Sequence, residues 1–325
     1  MGSAYLHIGW GKCATTWTQG FIFKKVSEIK KIDYNPRESS ILLRKLSEEP
    51  CHLDIDIEKY SELSSRLRKG NLILSYEGMT GFPDEFINNV KKIKSIVPRE
   101  TKIILTTRNP RDFLTSMYLQ MVSMGHIVKH DEFYYKSRCC EDGCYSAVKR
   151  RHNIESFPYQ ELVECLRKDF NDVYIVPYEN IHDERMWNRI FECSVSTTTH
   201  KRKIINKSYS VTALNIVFFI ERILRKIGVR SYSYIDKIEG GNSEVVKKIL
   251  NSRNMICNYI NCQWIRVLKD RGLKRILLNA FDRMTPRSRY KKFTIDSQFY
   301  NTKEIQDAVE YHDKVIDSWR VNDKV

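Results

Sequence analysis

The stretch Tyr5-Leu6-His7-Ile8-Gly9-Trp10-Gly11-Lys12-Cys13-Ala14-Thr15-Thr16-Trp17 decides how the rest of the chain is read. Its first residues have the character of a short strand, its middle that of a glycine-bearing turn with one lysine. From Thr15 through Thr18, Gln19, Gly20 and Phe21 it reads as the opening of a helix. Strand, turn and helix start together form a cradle for an anion. Glycines let successive backbone N–H groups turn inward, the helix start adds a partial positive charge, and Lys12 adds a full one.

The nucleoside-triphosphate form of such a loop has Gly, four residues, Gly-Lys and then Ser or Thr, whose hydroxyl holds magnesium. Here the residue five before Gly11 is Leu6, and Cys13 follows Lys12, so both requirements fail. What remains is Lys12, two small residues, Thr15, Thr16 and an aromatic residue, Trp17. This resembles the 5′-phosphosulfate loop of sulfotransferases that use 3′-phosphoadenosine 5′-phosphosulfate, which in cytosolic members reads Pro-Lys-Ser-Gly-Thr-Thr-Trp. The resemblance implies that the loop of Gly11, Lys12, Cys13, Ala14, Thr15 and Thr16 holds the 5′-phosphate and that Trp17 stacks on the adenine. It also implies that Lys12 stabilises charge on the bridging oxygen of the donor. A transferring sulfuryl group carries less negative charge than a phosphoryl group, so a lysine and backbone dipoles suffice and no metal is required.

The next strand, Asn71 to Tyr76, ends in Glu77-Gly78-Met79-Thr80-Gly81. In an open parallel sheet ligands bind beyond the carboxyl ends of strands, which puts Glu77 at the edge that carries the Lys12 loop. A third strand, Lys102 to Thr107, runs into Arg108-Asn109-Pro110-Arg111-Asp112, with Ser116 eight residues after Arg108. Pro110 and Asp112 suit the first turn of a helix, and arginine presents a planar fork matched to phosphate. Sulfotransferases carry Arg and Ser at this spacing after a strand, and the resemblance implies that Arg108 and Ser116 hold the 3′-phosphate. A fourth strand, Asp172 to Pro177, closes in Tyr178-Glu179-Asn180, similar to the family's Tyr-Glu-Asp. Tyr178 is then either near the adenine or packed in the core, and Glu179 is a structural hydrogen-bonding residue.

Three departures from the family pattern matter. Ala14 stands where glycine is common; if the backbone there needs a positive φ, alanine costs about 1 kcal/mol. Glu77 stands where cytosolic members have a catalytic histidine, although carbohydrate-modifying relatives use glutamate. Gly11 replaces proline. In the basic stretch around Lys201-Arg202-Lys203, where the family has a further 3′-phosphate contact, no glycine follows and a solvated charge run is the simpler reading.

The 325 residues, 42% of them hydrophobic, suit one large α/β domain. The expected architecture is a central parallel sheet flanked by helices over residues 1–325. Residues 1–200 form the donor-binding core, and 201–325 a mostly helical extension covering the acceptor site. Against 40 acidic residues, 55 Lys and Arg give a net charge of +15, which favours anionic partners without selecting among them. Nine scattered cysteines without a framework point to reduced thiols and a cytoplasmic setting. Cys139, Cys140 and Cys144 read as free thiols in a loop, not as a zinc site. The first strand begins too close to Met1 for a signal peptide, and no apolar run is long enough to span a bilayer. A soluble catalytic fragment of a membrane-anchored enzyme fits the same sequence.

The function expected is sulfuryl transfer from 3′-phosphoadenosine 5′-phosphosulfate to an acceptor hydroxyl on a glycan or glycolipid. Glu77 acts as base and Lys12 stabilises the leaving group. The alternatives are a nucleotide-dependent small-molecule kinase and a non-enzymatic anion or nucleic-acid binder. No aromatic–basic alternation of a nucleic-acid module is present, so no nucleic-acid partner is expected.

Overall fold

A computed structural model describes residues 2–49, 55–81, 83–123, 130–135, 152–153, 157–197, 210–226, 271–284, 293–296 and 300–321. Lys201, Arg202 and Lys203, the cysteines 139, 140 and 144, and the helices expected between Gly240 and residue 270 lie outside the described residues. The chain forms two compact units. One comprises Met1–Leu114, Asn153–Lys203 and Ser297–Val325; the other comprises Thr115–His152 and Ile204–Asp296.

The strands, in chain order, are β1 (Ala4–Gly9), β2 (Asp33–Tyr34), β3 (Leu72–Ser75), β4 (Lys102–Thr107), β5 (Tyr134–Tyr135), β6 (His152–Asn153) and β7 (Val173–Pro177). Five of them form a parallel sheet in the order β2-β3-β1-β4-β7, and β5 and β6 form a separate two-stranded sheet. The fold is therefore α/β, with helices covering a central parallel sheet. Every residue of β1 and β3 is buried. A parallel sheet covered on both faces requires this, and it explains why these strands read as apolar runs without alternation. The two-residue edge strand β2 carries too little pattern to be recognised in the sequence; it is set by its pairing of Asp33 with Leu72 and Tyr34 with Ile73.

The chain lays down β1, β2 and β3 on one side, then crosses to place β4 on the other side of β1 and β7 beyond it. The order reverses between β1 and β4, and the crevice beyond the carboxyl ends of such a pair is where open α/β sheets bind ligands. The helices that make these crossovers end where their sequences say they should. α4 (Ser61–Lys69) stops at Gly70, whose φ is 73°, and α5 (Phe86–Ile96) stops just before Pro98. α8 (Tyr159–Asp169) buries Leu162, Val163 and Leu166, and α9 (Glu184–Phe191) is capped by the Asp183 side chain accepting from the Arg185 amide. The core on one face gathers Tyr5, Phe23, Ile73, Ile104, Trp187 and Phe191.

In the second unit, α10 (Val211–Lys226) begins at Ser210, whose hydroxyl accepts from the Ala213 amide at 3.2 Å, and Asp282 of the helix Arg271–Met284 accepts from the Ser210 amide at 2.7 Å. Tyr118 packs its ring against Phe133 and Phe293. Among the described residues, no helix is long and apolar enough to cross a membrane.

One polar side chain sits at the centre of the parallel sheet. His7, fully buried in β1, contacts Ser75 Oγ of β3 through Nδ1 at 2.7 Å and Thr106 Oγ1 of β4 through Nε2 at 3.1 Å. Gln19 donates to the same Ser75 oxygen at 2.9 Å, and a neutral imidazole serves the two hydroxyls with one nitrogen donating and the other accepting. A Cβ on Gly9 would collide with Thr106 Oγ1 and crowd His7 Nε2, so this bridge requires glycine there. Burial lowers the His7 pKa from 6.5 to about 3.

The sign follows from proton counting. Above pH 6.5 neither state of the chain holds the His7 proton; between 6.5 and 3 the unfolded state holds it and the folded state does not, so stability is lost as the pH drops through that window. Urea unfolding at about pH 7.5 and about pH 4.5 should therefore differ by about 2–3 kcal/mol more in the wild type than in His7→Asn. Equal pH dependence in the two proteins would remove His7 from this role.

Candidate active site

The turn after β1 takes a different path from the one its glycines suggest. Gly11 has no positive φ; the left-handed residues are Lys12, at φ 68°, and Ala14, at φ 55°. The bend therefore rests on two L-residues, with the side chains of the loop setting it and not glycine freedom. Two anchors hold it. Thr80 donates to the Gly9 carbonyl at 2.6 Å, and the Trp10 amide donates to the Thr106 carbonyl at 3.0 Å. Trp10 itself is fully buried among Phe86, Phe113, Phe157 and Tyr159. The Ala14 carbonyl then accepts from the amides of Trp17 and Thr18, opening α1 (Thr15–Trp17). That helix runs on through a wide π turn at Thr18–Phe23 into α2 (Lys24–Lys30).

Three strand ends deliver side chains to this loop or beside it. From β3, Glu77 accepts a hydrogen bond from the Thr15 hydroxyl. From β4, Arg108 Nη1 donates to the Lys12 carbonyl at 3.2 Å, and Arg108 also lies 3.8 Å from Asp112. From β7, Tyr178 offers its ring to the Arg108 guanidinium, 4.7 Å from the centroid. Tyr178 is 38% exposed, which settles it at the mouth and not in the core. Glu179, its neighbour, accepts from His312 Nε2 at 3.1 Å. No family model matches the chain, and no curated protein matches it. A solved sulfotransferase from Alicyclobacillus acidocaldarius is similar at 13% identity and a TM-score of 0.41, over 70% of this chain and 94% of that one. A likeness that loose adds nothing to the geometry.

The electrostatics of the loop are set by burial. Desolvation lowers the Lys12 pKa, while the nearby Glu77 carboxylate pulls it back up. Burial pushes the Cys13 thiol well up; the Arg108 charge opposes this, and Glu179 and Glu77 add to it. Cys13 is thus a neutral thiol whose Sγ faces the Gly11 carbonyl at 3.8 Å. Glu179 behaves differently. Burial alone would raise its carboxyl, but hydrogen bonds from His312, its own amide and the Asn109 amide hold it below the ordinary carboxylate value. Arg108 Nε is buried without a hydrogen-bond partner, as is Arg111 Nε.

The remaining expected residues fall as follows. Thr16 is exposed, and Trp17 is half-buried, packed on Phe21 at 5.5 Å and edge-on to His182 at 4.5 Å between ring centroids. Ser116 is half-buried in α6 (Pro110–Ser123) and belongs to the second unit. The sequence reading missed Thr80, Tyr159 and His312. Thr80 follows a strand in a turn that carries no pattern of its own. His312 sits on the buried side of the helix Lys303–Val321, where the periodicity announces only a core-facing position. A cavity of about 210 Å³ between β7 and that helix, lined by Arg167, Arg189 and Trp319 among others, shares no residue with the loop.

Ala14 supplies a direct check on the loop conformation. Ala14→Gly should raise the unfolding free energy by about 0.5–1 kcal/mol, because glycine has no Cβ to strain at φ 55°. Ala14→Val, β-branched at the same position, should lower it by more than that gain. Chemical denaturation reads both, and a stabilising valine would mean that the residue is not left-handed.

Proposed function

We propose that this chain transfers a sulfuryl group from 3′-phosphoadenosine 5′-phosphosulfate to a hydroxyl of a glycan or glycolipid. The observation that carries the reading is the meeting of Arg108 with the loop. A guanidinium from the end of β4 reaches the Lys12 carbonyl, keeps its Nε buried and unsatisfied, and stacks on Tyr178. Arg108 thus meets the backbone of the lysine loop at the sheet's switch point, where a donor with phosphates at both its 3′ and 5′ positions would need cations.

In this reading Lys12 and the loop from Gly11 to Thr16 hold the 5′ end, and Arg108 holds the 3′-phosphate while Tyr178 flanks the nucleoside. Glu77 takes the proton of the acceptor hydroxyl as the acceptor oxygen bonds to sulfur. The bond from sulfur to the bridging oxygen breaks, and Lys12 stabilises the negative charge left on that oxygen. The product is 3′,5′-bisphosphoadenosine. The contact between Thr15 and Glu77 supports the pairing of base and cradle, because it brings the carboxylate to the loop that holds the transferring group. The preference over a kinase rests on Cys13. The position that would carry a magnesium-binding hydroxyl carries a buried thiol, which is held neutral. Free Cys13, Cys165 and Cys193 suit a reducing compartment.

Thermal unfolding with 3′,5′-bisphosphoadenosine, AMP and ATP with magnesium at equal concentrations tests the donor class. Bound at about 100 times its dissociation constant, the bisphosphate should add about 2.7 kcal/mol and outrank the others. Stabilisation by ATP with magnesium alone would make the chain a kinase, and no stabilisation by any nucleotide would end the donor reading.

Turnover with an acceptor separates the roles. Lys12→Ala and Glu77→Gln should each lower kcat by about 100-fold or more, whereas Arg108→Ala should mainly raise the KM for the donor. Near-normal turnover in Glu77→Gln would assign the base elsewhere.

A further inference from the structure

Arg108 and Tyr178 belong to two strand ends that are tied together a second time, behind the mouth. Thr107, one residue before Arg108, shares a hydrogen bond of 2.9 Å with the Tyr159 hydroxyl, in which either oxygen can donate. The same hydroxyl lies 3.4 Å from His312 Nδ1, and His312 Nε2 donates to Glu179 at 3.1 Å. Glu179 follows Tyr178, which faces the Arg108 guanidinium at 4.7 Å. These contacts close a ring: Thr107, Tyr159, His312 and Glu179 on one arc, Tyr178 and Arg108 on the other. His312 is its only member from outside the two strand ends and α8, and its side chain is completely buried.

We infer that His312 is a positioning residue for the 3′-phosphate. Through Glu179 and Tyr159 it orients the segments that leave the paired ends of β4 and β7, and so the Arg108–Tyr178 pair. This deepens the proposed function and rests on it. The imidazole is suited to the task because its two nitrogens lie on opposite sides of a rigid ring. Each can hold one arc at a fixed angle, and a buried histidine with both nitrogens engaged has little freedom to turn. The Asn109 amide, donating to the Glu179 carboxylate, braces the same junction from the Arg108 side. The Lys12 loop has no contact with His312 in this ring. Its hold on a 5′-phosphate is therefore separable from the hold on the 3′-phosphate.

The test compares the affinities of 3′,5′-bisphosphoadenosine and 5′-AMP by calorimetry, in the wild type, His312→Ala, His312→Gln and Tyr159→Phe. Losing His312 should weaken the bisphosphate by about tenfold and leave 5′-AMP within about twofold. The preference for a 3′-phosphate then collapses. Glutamine, which can still donate to Glu179, should restore most of it. Tyr159→Phe keeps the ring packing and deletes only the hydroxyl, so it should reduce the preference even if His312→Ala does not fold. A purely structural histidine would lower the melting temperature and weaken both nucleotides equally, or neither, and that result overturns the inference. A wild type with no preference for the bisphosphate overturns the donor reading, and this inference with it. A wild-type preference that survives in Tyr159→Phe and in the folded His312 variants overturns the inference alone.

Discussion

The hydrogen bond from Arg108 to the Lys12 carbonyl is the contact on which the rest of the mouth depends. Lys12 is held in a left-handed conformation that lysine does not choose for itself, and its peptide must be satisfied from outside the turn. A guanidinium from the adjacent strand end does this with one nitrogen, while its Nε stays buried without a hydrogen-bond partner. Residues at positions 12 and 108, remote in sequence, become one feature because β1 and β4 are parallel neighbours that end at the same level.

Burial is used with discrimination around that contact. The centre of the sheet admits a histidine only as a neutral bridge, since no carboxylate lies beside it and desolvation removes its charge. At the carboxyl edge the opposite choice is made for Glu179, which keeps its charge because His312 and two backbone amides donate to it. Cys13, within the loop, is buried between these regimes and stays a thiol.

Much of the fold was legible because parallel strands buried on both faces leave apolar runs, and their crossover helices leave the spacing of Leu63 and Leu67 or of Leu162 and Leu166. The strand-ending segments at Lys12, Glu77, Arg108 and Tyr178 could be placed on one edge from order alone, since every strand in such a sheet points the same way. The β2 strand was not legible, because two residues carry no periodicity. Gly11 misled for a related reason: composition says where a left-handed residue is easy, and only tertiary contacts say where it is needed. The link from His312 to Glu179 spans 133 positions. No local pattern distinguishes a histidine that completes such a link from one that merely fills a core.

The two rims of the parallel sheet bear on how the molecule keeps to itself. One rim is β2, only two residues long, which offers a passing chain almost nothing to pair with. On the β7 rim, the Trp319 indole donates to the Ile175 carbonyl at 2.7 Å, and the helix Lys303–Val321 packs against the strand. A sheet with one rim too short and the other partly plugged has no template for lateral growth. Among the described residues the parallel sheet therefore leaves little free edge to another strand, and the tryptophan near the end of the last described helix covers a strand as well as packing on it.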